Sequence, residues 1–123
     1  MSSEHSFKDL PAWQHAMQLV AGIYQLTTQL PAAERLGISS SLQQAAVAIP
    51  TLLASGTKRG RSGFTEACVQ SRYHCAELET LLLISQQIYP NVPVDELGAS
   101  VIELQATLTS MVQRLTKPAP KSI

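Results

Sequence analysis

The stretch SGFTEACVQSRYHCAELETLLLISQQIY, Ser62 to Tyr89, decides the fold. Within it Phe64, Cys68, Ser71, Cys75, Leu78, Leu82, Ser85 and Tyr89 recur at alternating spacings of four and three. At 3.6 residues per turn, that rhythm draws one seam along one side of a helix. A second seam, Val69, Tyr73, Ala76, Thr80, Leu83 and Gln87, runs down the opposite side. A helix that is partly apolar on two sides needs cover on both. The rest of its own bundle supplies one cover, and a second copy of the chain is the expected supplier of the other. Val69, Tyr73, Thr80 and Leu83 are therefore the candidate self-association residues. The competing reading is that helices one and four wrap far enough to cover them within one protomer.

Working outward, three more segments share the helical period. Upstream, residues 1–8 read as a flexible tail in which Phe7 can fold back as an apolar plug. A first helix is expected from Asp9 to Pro11 onward, because proline suits a first turn and an acid favours it. Its stripe is Trp13, Ala16, Met17, Val20, Ile23, Tyr24, Thr27 and Leu30, and Pro31 ends it. After a connection closed by Gly37, Ser39, Ser40 or Ser41 is expected to cap a second helix. That helix carries Ile38, Leu42, Ala45, Ile49 and Leu52 on one face and ends near Gly56. Pro50 predicts a kink there and not a break, since the apolar period continues beyond it. Thr57 to Gly63 reads as a polar, glycine-rich loop. Pro90 and Pro93 bracket the turn into a fourth helix whose stripe is Leu97, Val101, Leu104, Leu108, Met111 and Leu115. Residues 117–123 read as a disordered tail. Short connections favour antiparallel neighbours, so residues 9–116 predict an all-α, antiparallel up-down-up-down four-helix bundle with a kinked second helix.

Composition bounds the function. The chain has 123 residues, 45% of them apolar and only 15% charged, against about 25% charged in an ordinary domain. So sparsely charged a surface favours an oligomer. The formal net charge is zero and the pI near 6.8, which does not point to nucleic acid as a strongly basic chain would. No apolar run reaches the roughly 18–20 residues of a membrane span, and the polar start lacks a signal-peptide pattern, so a cytoplasmic protein is expected. Cys68 and Cys75 lie about 10 Å apart along one helix, too far for a disulfide, and read as buried structural thiols.

Several segments resemble a known family. Phe7-x-x-Leu10-x-x-Trp13-Gln14-x-Ala16 resembles the opening of the four-helix-bundle proteins encoded within intervening sequences of bacterial 23S ribosomal RNA. Leu30-Pro31-x-x-Glu34-x-x-Gly37-Ile38 is similar to the family's first connection, Ala45 to Pro50 to its proline-bearing second helix, and Glu77-Leu78-Glu79-Thr80 to its acidic third-helix segment. The resemblance implies the bundle and a ring-shaped homo-oligomer, often a pentamer. It also implies kinship with the accessory bundle proteins of diversity-generating retroelements, which work with a reverse transcriptase and RNA. The chain departs from the family where Gln43 and Gln44 replace a basic pair and Tyr73-His74 replaces a Gly-Ser.

Among chemical candidates, Lys58, Arg59, Arg61 and Arg72 form the basic cluster, readable as a phosphate-binding surface or as a solvated loop. No strand or Gly-Lys-Ser/Thr accompanies it, so it is not a P-loop. His74, Cys75 and Glu77 lack the partner carboxylates of a di-metal bundle. Glu77 and Glu79 point to different sides of the helix and cannot work as one acid/base pair. No Ser/His/acid group or Gly-x-Ser-x-Gly elbow is present. The sequence therefore predicts no catalytic residues, no metal and no cofactor. The expected function is a non-enzymatic, homo-oligomeric scaffold or adaptor with an RNA or protein partner and no membrane partner. The alternative is RNA or DNA binding through the basic loop.

Overall fold

The structure, a computed structural model, describes residues 6–118. Four helices follow one another: α1 (Pro11–Thr27), α2 (Ile38–Gly56), α3 (Gly60–Ile88) and α4 (Asp95–Thr116), with 3-10 turns at Phe7–Asp9 and Ala32–Glu34. Each helix packs on its neighbour in sequence and α4 closes back onto α1, while the backbones of the diagonal pairs stay apart. Three lateral bonds between α3 and α4 descend along the second helix as they climb the first: Arg61 to Leu115, Arg72 to Thr109, Gln105 to Glu79. The pair is therefore antiparallel, and the whole is an up-down-up-down four-helix bundle.

The first seam of α3 forms the core as expected: Cys68, Ser71, Cys75, Leu78, Leu82 and Ser85 are buried, with Phe64 and Tyr89 packed at its ends. They meet Leu42, Ile49 and Leu53 of α2 and Val101, Leu104 and Leu108 of α4. Fully burying each large aliphatic side chain contributes about 1.5–3 kcal/mol. No helix is long and apolar enough to cross a membrane among the described residues.

Several sequence expectations need correction. The buried face of α1 is Ala12, Ala16, Leu19, Ile23 and Leu26, so Met17 and Tyr24 stand out of the core, Tyr24 with 46% exposure. The cause is the position of α1 between two neighbours. Thr27 accepts a bond from Gln43 of α2 on one flank, and His15 meets Ser100 of α4 on the other. The core line falls between these flanks. The helix also stops at Thr27, and Leu30 is buried from the following turn. On α2, Leu53 and not Leu52 continues the stripe beyond Pro50, which α2 passes without a break. Its serines lie inside the helix; Gly37 precedes it, and the Glu34 carboxylate accepts from the Ile38 N–H at 3.4 Å.

The expected loop from Thr57 to Gly63 shrinks to Thr57, Lys58 and Arg59, because α3 already begins at Gly60. The glycines in and beside this turn serve different needs. Gly60 has φ +75°, a left-handed turn that glycine adopts without penalty. At Gly56 a Cβ would stand 2.5 Å from the Cβ of Ala67, so α2 and α3 lie too close there for a side chain. At the N-terminal side, the residues assigned to a tail include an ordered turn. Phe7 packs edge-on against Trp13, ring centroids 5.3 Å apart, as an apolar plug. The tail assignments for residues 1–5 and 119–123 lie outside the described residues.

Candidate assembly face and basic end

The second seam of α3 faces away from the core. Tyr73 and Leu83 are 61% and 59% exposed, Thr80 is exposed and Val69 is half-buried. Thr80 turns its hydroxyl back to the Ala76 carbonyl at 3.0 Å, which masks its polarity. Leu83 does not stand alone. It lines a cleft of about 280 Å3 between α3 and α4 with Ile102, itself 54% exposed. Helices one and four thus leave the outer seam uncovered within the protomer.

The four basic candidates part company. Lys58 and Arg59 lie in the α2–α3 turn and are exposed. Arg61 lies in the first turn of α3 and points at the end of α4, donating from Nε and Nη2 to the Leu115 carbonyl at 3.2 and 3.0 Å. It thereby satisfies a carbonyl orphaned at a helix C-terminus, where a cation is also favoured by the dipole. Arg72 stands three turns further along α3 with its guanidinium toward Thr109 at 3.5 Å, away from the turn. The structure does not bring it to the others.

In exchange, residues that sequence spacing could not associate are brought in. The α2–α3 turn, the first 3-10 turn and the end of α4 share one end of the bundle, as the Arg61 bonds and the clefts below establish. Lys8, Lys58, Arg59, Arg61, Arg114 and Lys117 all belong to that end, against Asp9 and Glu66. The opposite end carries Glu34, Asp95 and Glu96 against Arg35. Zero net charge therefore hides a strongly segregated distribution. Among the described residues no Lys or Arg lies within ion-pairing distance of a carboxylate; the one close pair is His74 with Glu77 at 3.0 Å. Clefts of about 530, 270 and 740 Å3 meet around this end, each lined in part by Arg61 and Leu115.

Elsewhere the polar groups serve structure. The Tyr89 hydroxyl donates to the Glu34 carboxylate at 2.5 Å, tying the α1–α2 connection to the end of α3. That bond, with desolvation and the nearby charge, raises the Tyr89 pKa. Burial pushes the Cys68 thiol up to about 11, and burial plus the Glu79 charge pushes Cys75 up to about 12. Both are free thiols held protonated in the core. Ser71 Oγ, between them on the same seam, is buried with no hydrogen-bond partner among the described residues. No group of three or more metal-ligating side chains occurs among the described residues.

Four antiparallel helices in cyclic contact define an all-helical bundle protein. The chain belongs to the family of 23S rRNA-intervening sequence proteins, which it matches over residues 8–116. No curated protein matches it.

Proposed function

We propose that this chain is a non-enzymatic scaffold that assembles with copies of itself through the outer seam of α3. The observation that carries this reading is the exposure of Tyr73 and Leu83 on one face of α3, with Ile102 extending the apolar surface onto α4. Large contiguous apolar surface is rare on monomers and marks an interaction site. The repeat of one face on every copy suits a closed ring, with a pentamer the form that the resemblance implied. Light scattering on Tyr73→Glu and Leu83→Glu tests it, because an unpaired charge buried in an interface is costly. The expected result is a smaller particle with unchanged helix content. Variants that keep the wild-type particle size overturn the role of this face.

A second reading is favoured by the segregated charge: the basic end holds the phosphates of a nucleic acid. Cations that lack internal partners retain their full attraction for a polyanion, and a ring would present the end several times over. A gel-shift titration at low salt tests it with Lys58→Ala, Arg59→Ala and Arg114→Ala combined. Arg61 is kept, since its loss would also unpin the end of α4. Salt-sensitive binding by wild type that the triple variant loses supports the reading; no shift with wild type ends it.

A further inference from the structure

The cleft of about 530 Å3 at the basic end has a construction that phosphate binding alone does not use. Its wall is apolar and aromatic, with Phe7, Leu10, Pro11, Phe64 and Leu115, and its volume is that of a small-ligand site. Its polar lining residues include Asp9 and Thr57, the Thr57 hydroxyl donating back to the Ala54 carbonyl at 2.7 Å. Lys58 Nζ lies over the Phe7 ring, 6.0 Å from its centroid, with Arg61 on the lining. A phosphate would be repelled by Asp9 and would gain nothing from two phenyl rings. A nucleobase has the opposite preferences: its π-face stacks on aromatic side chains and its amino group donates to a carboxylate. Cations around the rim then meet the flanking phosphates.

Resting on the nucleic-acid reading, we infer that this cleft takes an unpaired nucleobase, so that the basic end selects single-stranded nucleic acid over duplex. Bases within a duplex are stacked and paired, and cannot enter without being extruded at some cost. Lys58 sits on a long flexible stem and is the group that a phosphate next to the inserted base would draw away from Phe7. Stacking of one base is worth about tenfold or more in affinity.

The chain offers an internal reporter. Trp13 is its single tryptophan and lies against Phe7. The test titrates the full chain at low salt with a single-stranded RNA of about 12 nucleotides, its abasic counterpart and a duplex of equal length. Anisotropy reports binding and Trp13 emission reports the cleft. The expected result is a change in Trp13 emission with the intact single strand alone, and about tenfold weaker binding of the abasic strand and the duplex. Phe7→Leu should bring the intact strand down to the abasic level while leaving abasic binding unchanged, and Asp9→Asn should narrow the gap between the two strands, since it removes the base's acceptor and relieves the repulsion of phosphate. Duplex or abasic binding as tight as the intact strand, with Trp13 unmoved, overturns base insertion and leaves phosphate binding standing. No binding of any of the three overturns both.

Discussion

Gly56→Ala is a perturbation for which propensity and packing predict opposite signs. Gly56 is the last residue of α2, and replacing a helical glycine by alanine gains up to about 1 kcal/mol in backbone terms. Against that, the added methyl would stand 2.5 Å from the Cβ of Ala67, where ordinary contacts begin at 3.4 Å. The obstacle is a methyl fixed to the α3 backbone and cannot rotate away, so the helices must separate by roughly 1 Å or bend. Overpacking of this kind costs about 1–3 kcal/mol. The packing term wins, and the variant should lose about 1 kcal/mol net, or a midpoint drop of about 4 °C for a domain of this size. Thermal denaturation followed by circular dichroism measures it. The companion variant Ala67→Gly makes the test specific: the double variant should show a favourable coupling of about 1–2 kcal/mol, because the two methyls compete for one space. A Gly56→Ala protein as stable as wild type, or two substitutions that simply add, would refute the close crossing of α2 and α3.

Other consequences are simpler to check. Ser71→Ala should stabilise the bundle by about 1 kcal/mol, since it removes a buried hydroxyl without a partner; a loss in chemical denaturation would mean that the hydroxyl is satisfied. Neither cysteine should react with a thiol reagent at pH 8 in the native state, because burial holds both thiols protonated, and both should react once unfolded. Rapid native labelling would contradict the burial. Tyr89, whose pKa is raised by its bond to Glu34, favours the protonated phenol in the folded state. The stability it contributes is complete below its unfolded pKa near 10 and is lost as pH climbs through the folded value. Tyr89→Phe should be less stable at neutral pH and should lack this alkaline fall in a pH series of denaturation midpoints.

The bundle was legible because burial imposes a period, and the first seam of α3 states that period for seven turns. What the sequence left open were quantities set by neighbours. On α1, apolar residues cover so wide an arc that the stripe read from sequence runs through Trp13, Met17 and Tyr24 and misses the buried Leu19 and Leu26; the flanking contacts to Gln43 and Ser100 mark where the centre line falls. Glycines at 56, 60 and 63 looked like flexibility, whereas at two of them an added Cβ would stand within 2.5 Å of another residue's Cβ. The basic end was hidden for a different reason. Lys8, Arg59 and Arg114 are remote in sequence, and a net charge of zero averages away a separation that exists only once the helices are paired. The outer seam of α3 was read directly, because four neighbouring residues of one helix share a face whatever the tertiary context.

The mass of the untouched chain in solution bears most directly on self-assembly. Sedimentation equilibrium across a dilution series should give a particle several times the 13.3 kDa protomer, dissociating only at the lowest concentrations. A single species of 13.3 kDa at every concentration, with Tyr73 and Leu83 open to solvent, would contradict the scaffold and its ring together.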